Sequence, residues 1–183
     1  MQQIELELEG GGVLTVSLRA SLDAMPAVKE RPLVLVVPGG GYGHVSPREG
    51  DPVALQFAAA GYHTAVLTYS VGEGAQNYQP LRQLNEALAL LRQNAGECHI
   101  LPDKIAVCGF SAGGHLALSA AVLDIPGETA QQRPNAVILG YPVVTDRKSV
   151  EWRQGSLPTG AASSGWRAAR ILPHSRCSPW RIR

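Results

Sequence analysis

Apolar and polar residues alternate at the start of the chain. Ile4 to Glu9 and Val13 to Arg19 are short alternating runs separated by Gly10-Gly11-Gly12, a pattern that predicts a β-hairpin. Leu33 to Val37 is different: a continuous apolar run bounded by Pro32 and Pro38. Such a run fits a strand covered on both faces, as in a parallel sheet. Asp51-Pro52 then opens a helical pattern with Val53, Phe57 and Ala60 on one face, and Gly61 ends it. His63 to Tyr69 reads as the next strand. Pro80 opens a longer helix reaching about Ala95, with Leu81, Leu84, Leu88 and Leu91 at helical spacing and Gly96 closing it. Lys104 to Phe110 reads as a second covered strand, Ala112 to Leu123 as a helix, and Asn135 to Tyr141 as a third strand. Strand and helix alternate from residue 33 to 141, which predicts an α/β fold with a mostly parallel sheet.

Charge divides the chain. Residues 1–146 have a net charge of −6, whereas residues 147–183 have +7 and hold Trp152, Trp166 and Trp180, all the tryptophans present. Across 183 residues the net charge is only +1, which argues against a protein built around nucleic acid. The odd cysteines Cys98, Cys108 and Cys177 lack C-x-x-C spacing, so neither a disulfide framework nor a zinc site is expected. The acidic, alternating start is unlike a secretory signal. Ile105 to Leu123 is 19 residues without a formal charge, but its glycines, serines and His115 suit a buried strand running into a helix better than a membrane span. A cytoplasmic protein is expected.

The segment Gly109-Phe110-Ser111-Ala112-Gly113-Gly114 lies where a buried strand meets a helix. A G-x-S-x-G string there is a nucleophile elbow in form: the sharp turn lifts the serine hydroxyl above the sheet. Side chains two positions either side would collide, hence Gly109 and Gly113. The plainer alternative is a tight turn whose serine merely caps the helix. Acyl transfer also needs backbone N–H donors aimed at the oxyanion. Ala112, directly after the nucleophile, would supply one. Gly40 and Gly41, in the loop after an earlier strand, occupy the place of the other. A Walker loop is not indicated, because no G-K-[ST] follows.

These segments also carry a resemblance. Pro38-Gly39-Gly40-Gly41-Tyr42, Arg48-Glu49, Ala60-Gly61-Tyr62, Tyr69-Ser70, the run from Ile105 to His115, and Gly140-Tyr141-Pro142-Val143 stand in an order that resembles α/β-hydrolase esterases. The group is the acetylxylan-esterase and feruloyl-esterase-like one, allied to the hormone-sensitive lipase type. Pro38 departs from it, standing where many relatives have the histidine of His-Gly-Gly-Gly. The resemblance implies a three-layer α/β-hydrolase sheet over roughly residues 30–146. It also implies a serine esterase that removes small acyl groups, often acetyl, from sugars or short esters without a cofactor. Ser111 would be the nucleophile, and Gly40, Gly41 and Ala112 the oxyanion donors.

Such an enzyme needs a carboxylate and a histidine after the serine, which in the family follow the seventh and eighth strands. Only 42 residues follow Tyr141, so the sheet is expected to lack its C-terminal strands and catalysis to be impaired. Asp146 and His174 are the formal triad partners, in the right order but without a strand pattern to hold His174. His115 is too close in sequence to fold back onto Ser111 and reads as a helix-packing residue. The chain thus divides into a partial hydrolase domain, residues 1–146, and a basic tail, residues 147–183. Rich in Arg, Ser, Pro and Trp without periodicity, the tail fits a GC-rich gene read out of frame. The rival is a basic arm for nucleic acid or an acidic partner. Two further expectations follow: self-association through the edge strand Asn135–Tyr141, and, as the alternative function, a non-catalytic fragment that binds ligands.

Overall fold

The computed structural model of the chain describes residues 1–20, 29–123 and 132–144. The tail, Asp146 and His174 lie outside these residues. A six-stranded sheet forms from β1 (Gln2–Glu7), β2 (Val13–Leu18), β3 (Arg31–Val37), β4 (His63–Thr68), β5 (Ile100–Phe110) and β6 (Ala136–Gly140). Three helices accompany it: α1 (Asp51–Ala59), α2 (Gln79–Gln93) and α3 (Ala112–Val122). Strand order is β1-β2-β4-β3-β5-β6. β1 and β2 pair antiparallel, as do β2 and β4, while β3, β4, β5 and β6 run parallel.

The side-chain period of a strand explains the three layers. Leu33, Leu35 and Val37 point to the face covered by α2 and α3. Val34 and Val36 point to the other, where they meet Ala54, Val53 and Phe57 of α1 and Cys108 of β5. Both faces are dry, so β3 reads as unbroken hydrophobicity. The hairpin is covered on one side only: Leu14, Val16 and Leu18 are buried while their neighbours are half-exposed. That is why its sequence alternates. On α2, Leu81, Leu84, Leu88 and Leu91 form the buried stripe that their spacing predicts.

Three differences from the sequence pattern stand out. β5 begins at Ile100 rather than Lys104, and its pairing with β3 shifts register between Arg31 and Leu33. Pro102 has no N–H to continue the ladder there. α2 ends at Gln93 rather than Ala95, in a turn where His99 has a φ of 52°. On α1 the buried residues are Ala54 and Ala58, whereas Ala60 is exposed. Helical spacing fixed the period of that face but not its phase, because alanine favours neither side. The uncharged stretch from Ile105 to Leu123 is β5 and α3. Among the described residues no helix is long and apolar enough to cross a membrane.

Parallel strands bring their C-terminal ends to one edge. β3 there runs into the glycine loop, β5 into Ser111 and β6 into Tyr141. Three loops far apart in sequence therefore converge.

Candidate active site

Ser111 joins β5 to α3 with φ 50° and ψ −116°. This is a costly conformation for a residue with a Cβ, and it persists only where the surroundings over-determine it. They do so here. The Ser111 N–H donates to the Gly140 carbonyl at 3.0 Å, and its carbonyl accepts from His115 N–H at 3.0 Å and Val143 N–H at 3.3 Å. The turn is also tight enough to exclude side chains. A methyl group at Gly109 would strike the Gly113 carbonyl and come within 2.9 Å of Ala117 Cβ. One at Gly113 would run into the carbonyl oxygens of Val37 and Pro38. The first turn of α3 is thereby pressed onto the end of β3. Ser111 is half-exposed, and among the described residues no group hydrogen-bonds its hydroxyl.

The glycine loop lies against this elbow: a Cβ at Gly39 would be 2.9 Å from Ser111 Cβ. Its carbonyls turn inward. Gly39 O accepts from Ser46 N–H at 2.9 Å, and Gly40 O accepts from Gly43 N–H and His44 N–H at 3.1 and 3.3 Å. Gly40 has a φ of +128°, and a Cβ there would collide with the His44 carbonyl, so only glycine fits. With those carbonyls engaged, the amides of Gly40, Gly41 and Ala112 have no acceptor among the described residues. The Ala112 amide also stands at the positive end of α3. A hydroxyl and unengaged amides on adjoining loops can serve acyl transfer.

Buried aromatic residues hold the loop from beneath. Tyr69 donates its hydroxyl to the Pro38 carbonyl at 2.8 Å, and burial pushes its pKa well up, keeping the proton on the phenol. Tyr42, at a φ of 59°, shares a hydrogen bond with His115 Nδ1 at 3.0 Å, and its carbonyl accepts from Gly72 N–H at 2.7 Å. Burial lowers the pKa of His115, which favours the neutral ring. His115 therefore ties α3 to the loop, in keeping with the packing role read from the sequence.

Glu49 enters the sequence reading only as part of the resemblance, with no role assigned, yet it lies at the centre of the arrangement. One of its oxygens accepts from Gly39 N–H at 2.7 Å, and the other accepts from the Tyr141 hydroxyl. Tyr141 stands at the rim with a φ of 37°, 65% exposed, its ring 5.9 Å from that of Phe110. No periodic pattern could reveal either role, since both depend on loops meeting across the sheet. Asp146 and His174 lie outside the described residues. Among those residues no group of three or more His, Cys, Asp or Glu could hold a metal ion.

A parallel sheet with a strained serine at its C-terminal edge and an adjoining glycine loop defines a protein of the α/β-hydrolase class. More narrowly, the chain belongs to the BD-FAE family, whose model matches residues 23–141. It is 34% identical over 150 residues to endo-1,4-beta-xylanase B of Butyrivibrio fibrisolvens, covering 71% of this chain and 23% of that protein. It is 32% identical over 122 residues to an acetylxylan esterase of Xylanibacter ruminicola, covering 65% of this chain and 24% of that protein. The chain thus spans about a quarter of the length of these curated relatives. Among solved structures it is similar to MGS-M1, an α/β-hydrolase enzyme from a Medee basin deep-sea metagenome library. The identity there is 42% and the TM-score 0.71, over 80% of this chain and 60% of that one.

Proposed function

We propose that this chain is a cytoplasmic serine esterase whose substrates are small acyl esters, acetyl groups on sugars foremost. What supports it most is the half-buried Ser111 at an elbow of φ 50°, beside a loop whose Gly40 and Gly41 amides have no acceptor among the described residues. The acetyl preference draws on the name of the Xylanibacter relative, an acetylxylan esterase. The free thiols of Cys98 and Cys108 suit a reducing compartment.

The chemistry follows from the parts. Ser111 Oγ attacks the acyl carbon, and the carbonyl oxygen becomes negative. The amide of Ala112 and those of Gly40 and Gly41 take up that charge, each donor contributing about 3 kcal/mol. The ester C–O bond then breaks. The alcohol leaves with the proton given up by Oγ, and water later hydrolyses the acyl-serine. Proton removal needs a base, and the His115 Nδ1 is engaged with Tyr42. Asp146 and His174 remain the triad partners of this reading. Without a base at Ser111, acylation and turnover both fall by about 10⁴–10⁶; with these partners the acyl-enzyme forms, and it is the species that reports the nucleophile. Incubation with p-nitrophenyl acetate should add one acetyl group to Ser111, read by mass spectrometry, and none at that position in Ser111→Ala. If wild type acquires none there, the esterase reading is wrong and the site is at most a binding module for such esters.

The sheet edge adds a second property. Among the described residues β6 ends the strand order, and Ile138 on it is 44% exposed. An open edge carrying apolar residues favours strand pairing between copies, and we propose that this chain self-associates there. Size-exclusion chromatography should give a concentration-dependent oligomer that Ile138→Lys shifts toward monomer. A wild-type monomer at all concentrations would refute it.

A further inference from the structure

We propose that Glu49 is a positioning residue that couples the glycine loop to the opposite rim of the site through Tyr141. Its carboxylate is bidentate in function: one oxygen accepts from Gly39 N–H at 2.7 Å, the other from the Tyr141 hydroxyl. Gly39 is the root of the loop and presses on Ser111, since a Cβ there would lie 2.9 Å from Ser111 Cβ and 2.8 Å from the Phe110 carbonyl. Tyr141 is joined to the other side of the same serine. Gly140, just before it, accepts from Ser111 N–H, and Val143, just after it, donates to the Ser111 carbonyl. One carboxylate therefore closes a ring of contacts around the elbow, from β3 to β6 and back.

One feature besides the contact itself says that it is more than a surface pair. Tyr141 keeps a φ of 37° although it is bulky and 65% exposed, so burial alone does not account for its strained backbone. Its hydroxyl has a raised pKa, first because of its hydrogen bond to Glu49, with smaller contributions from desolvation and the Glu49 charge. A carboxylate can accept from both donors at once. A glutamine cannot, because it has one oxygen and its NH₂ would face a donor. Charge-assisted bonds are also the stronger kind, so losing either should loosen what it holds.

The consequence for the site is orientation. Gly39 precedes the two amides that the esterase reading assigns to the oxyanion, so a fixed Gly39 N–H fixes the direction from which the loop starts. Phe110 and Tyr141 lean on each other, and the rim therefore moves with the loop. The chemical consequence rests on the esterase reading, whereas the coupling does not.

The test compares wild type with Glu49→Gln and Tyr141→Phe by amide hydrogen exchange. It reads Gly43 and Ser46, whose loop bonds to the Gly40 and Gly39 carbonyls involve neither altered side chain. Exchange at both amides should quicken about 10-fold or more in each variant, with β3 and β5 amides unchanged. Acetyl transfer to Ser111 should slow about 10-fold in both, at an unaltered melting temperature. Unchanged exchange at Gly43 and Ser46 would overturn the coupling, whatever the acetylation rates. Faster exchange with no acetylation even in wild type would sustain the coupling and refute the esterase reading. Faster exchange with acetylation slowed in neither variant would overturn its positioning role.

Discussion

Gly113→Ala should unfold the protein more readily than any other single-methyl substitution at the elbow. The added carbon meets the carbonyl oxygens of Val37 and Pro38 and comes within 2.7 Å of the Pro38 carbonyl carbon. These are backbone atoms at the end of the central strand β3, which is paired on both sides and buried on both faces. They cannot swing away as a flexible side chain would. The helix must therefore lift off the sheet, exposing Leu116 and Ala117, which are now fully buried. Overpacking of this kind costs about 3 kcal/mol or more. For a chain of this size that lowers the melting temperature by about 6–12 °C. Differential scanning calorimetry reads it directly. A shift of less than a degree would mean that the elbow is looser than these contacts imply.

Gly40→Ala should have the opposite profile: little loss of stability and a large loss of chemistry. At a φ of +128°, an L side chain is strained, and its Cβ would collide with the His44 carbonyl. Gly41 is exposed and Gly40 half-buried, so the loop can rearrange without disturbing the core. What cannot survive is the present direction of the Gly40 and Gly41 amides. Removing one oxyanion donor lowers acyl transfer by about 10²–10³, and acetylation of Ser111 by p-nitrophenyl acetate should slow by that factor. The melting temperature should move by only about 2 °C. If Gly40→Ala acetylates as fast as wild type, the loop does not supply the oxyanion donors.

Legibility from sequence followed the physics of each feature. β3 and α2 could be read because burial on two faces, or along one stripe, writes a period into the chain. The elbow could be read because Gly109 is forced by a clash with the Gly113 carbonyl, within a few residues of Ser111, whereas the Val37 and Pro38 carbonyls that force Gly113 needed the structure. Gly40 was singled out for another reason, the approach of a bare backbone to an ester, and its clash with the His44 carbonyl needed the structure. The phase of α1 was not, since its buried Ala54 and Ala58 and its exposed Ala60 are the same residue type. The start of β5 was obscured by Pro102, which breaks the pattern of a strand that nonetheless continues. Glu49 was the least legible. Its partners are Gly39, ten residues away, and Tyr141, ninety-two residues away, and nothing local marks a carboxylate that two distant loops share. His115 shows the reverse case. Its position within the elbow helix already made it a packing residue, and only its partner, Tyr42, needed the structure.

The class and family stand on the sheet, the elbow and the family match together, and they do not depend on turnover. Activity depends on what surrounds one hydroxyl. The half-buried Ser111, its hydroxyl hydrogen-bonded to no group among the described residues, is the feature from which the esterase reading departs.

Peptide mapping of the protein after brief exposure to p-nitrophenyl acetate tests that reading most directly. The expected result is an acetyl group on the peptide bearing Ser111, formed faster than on any lysine and absent there from Ser111→Ala. Acetylation confined to lysines and the N-terminus, equal in both proteins, would contradict it.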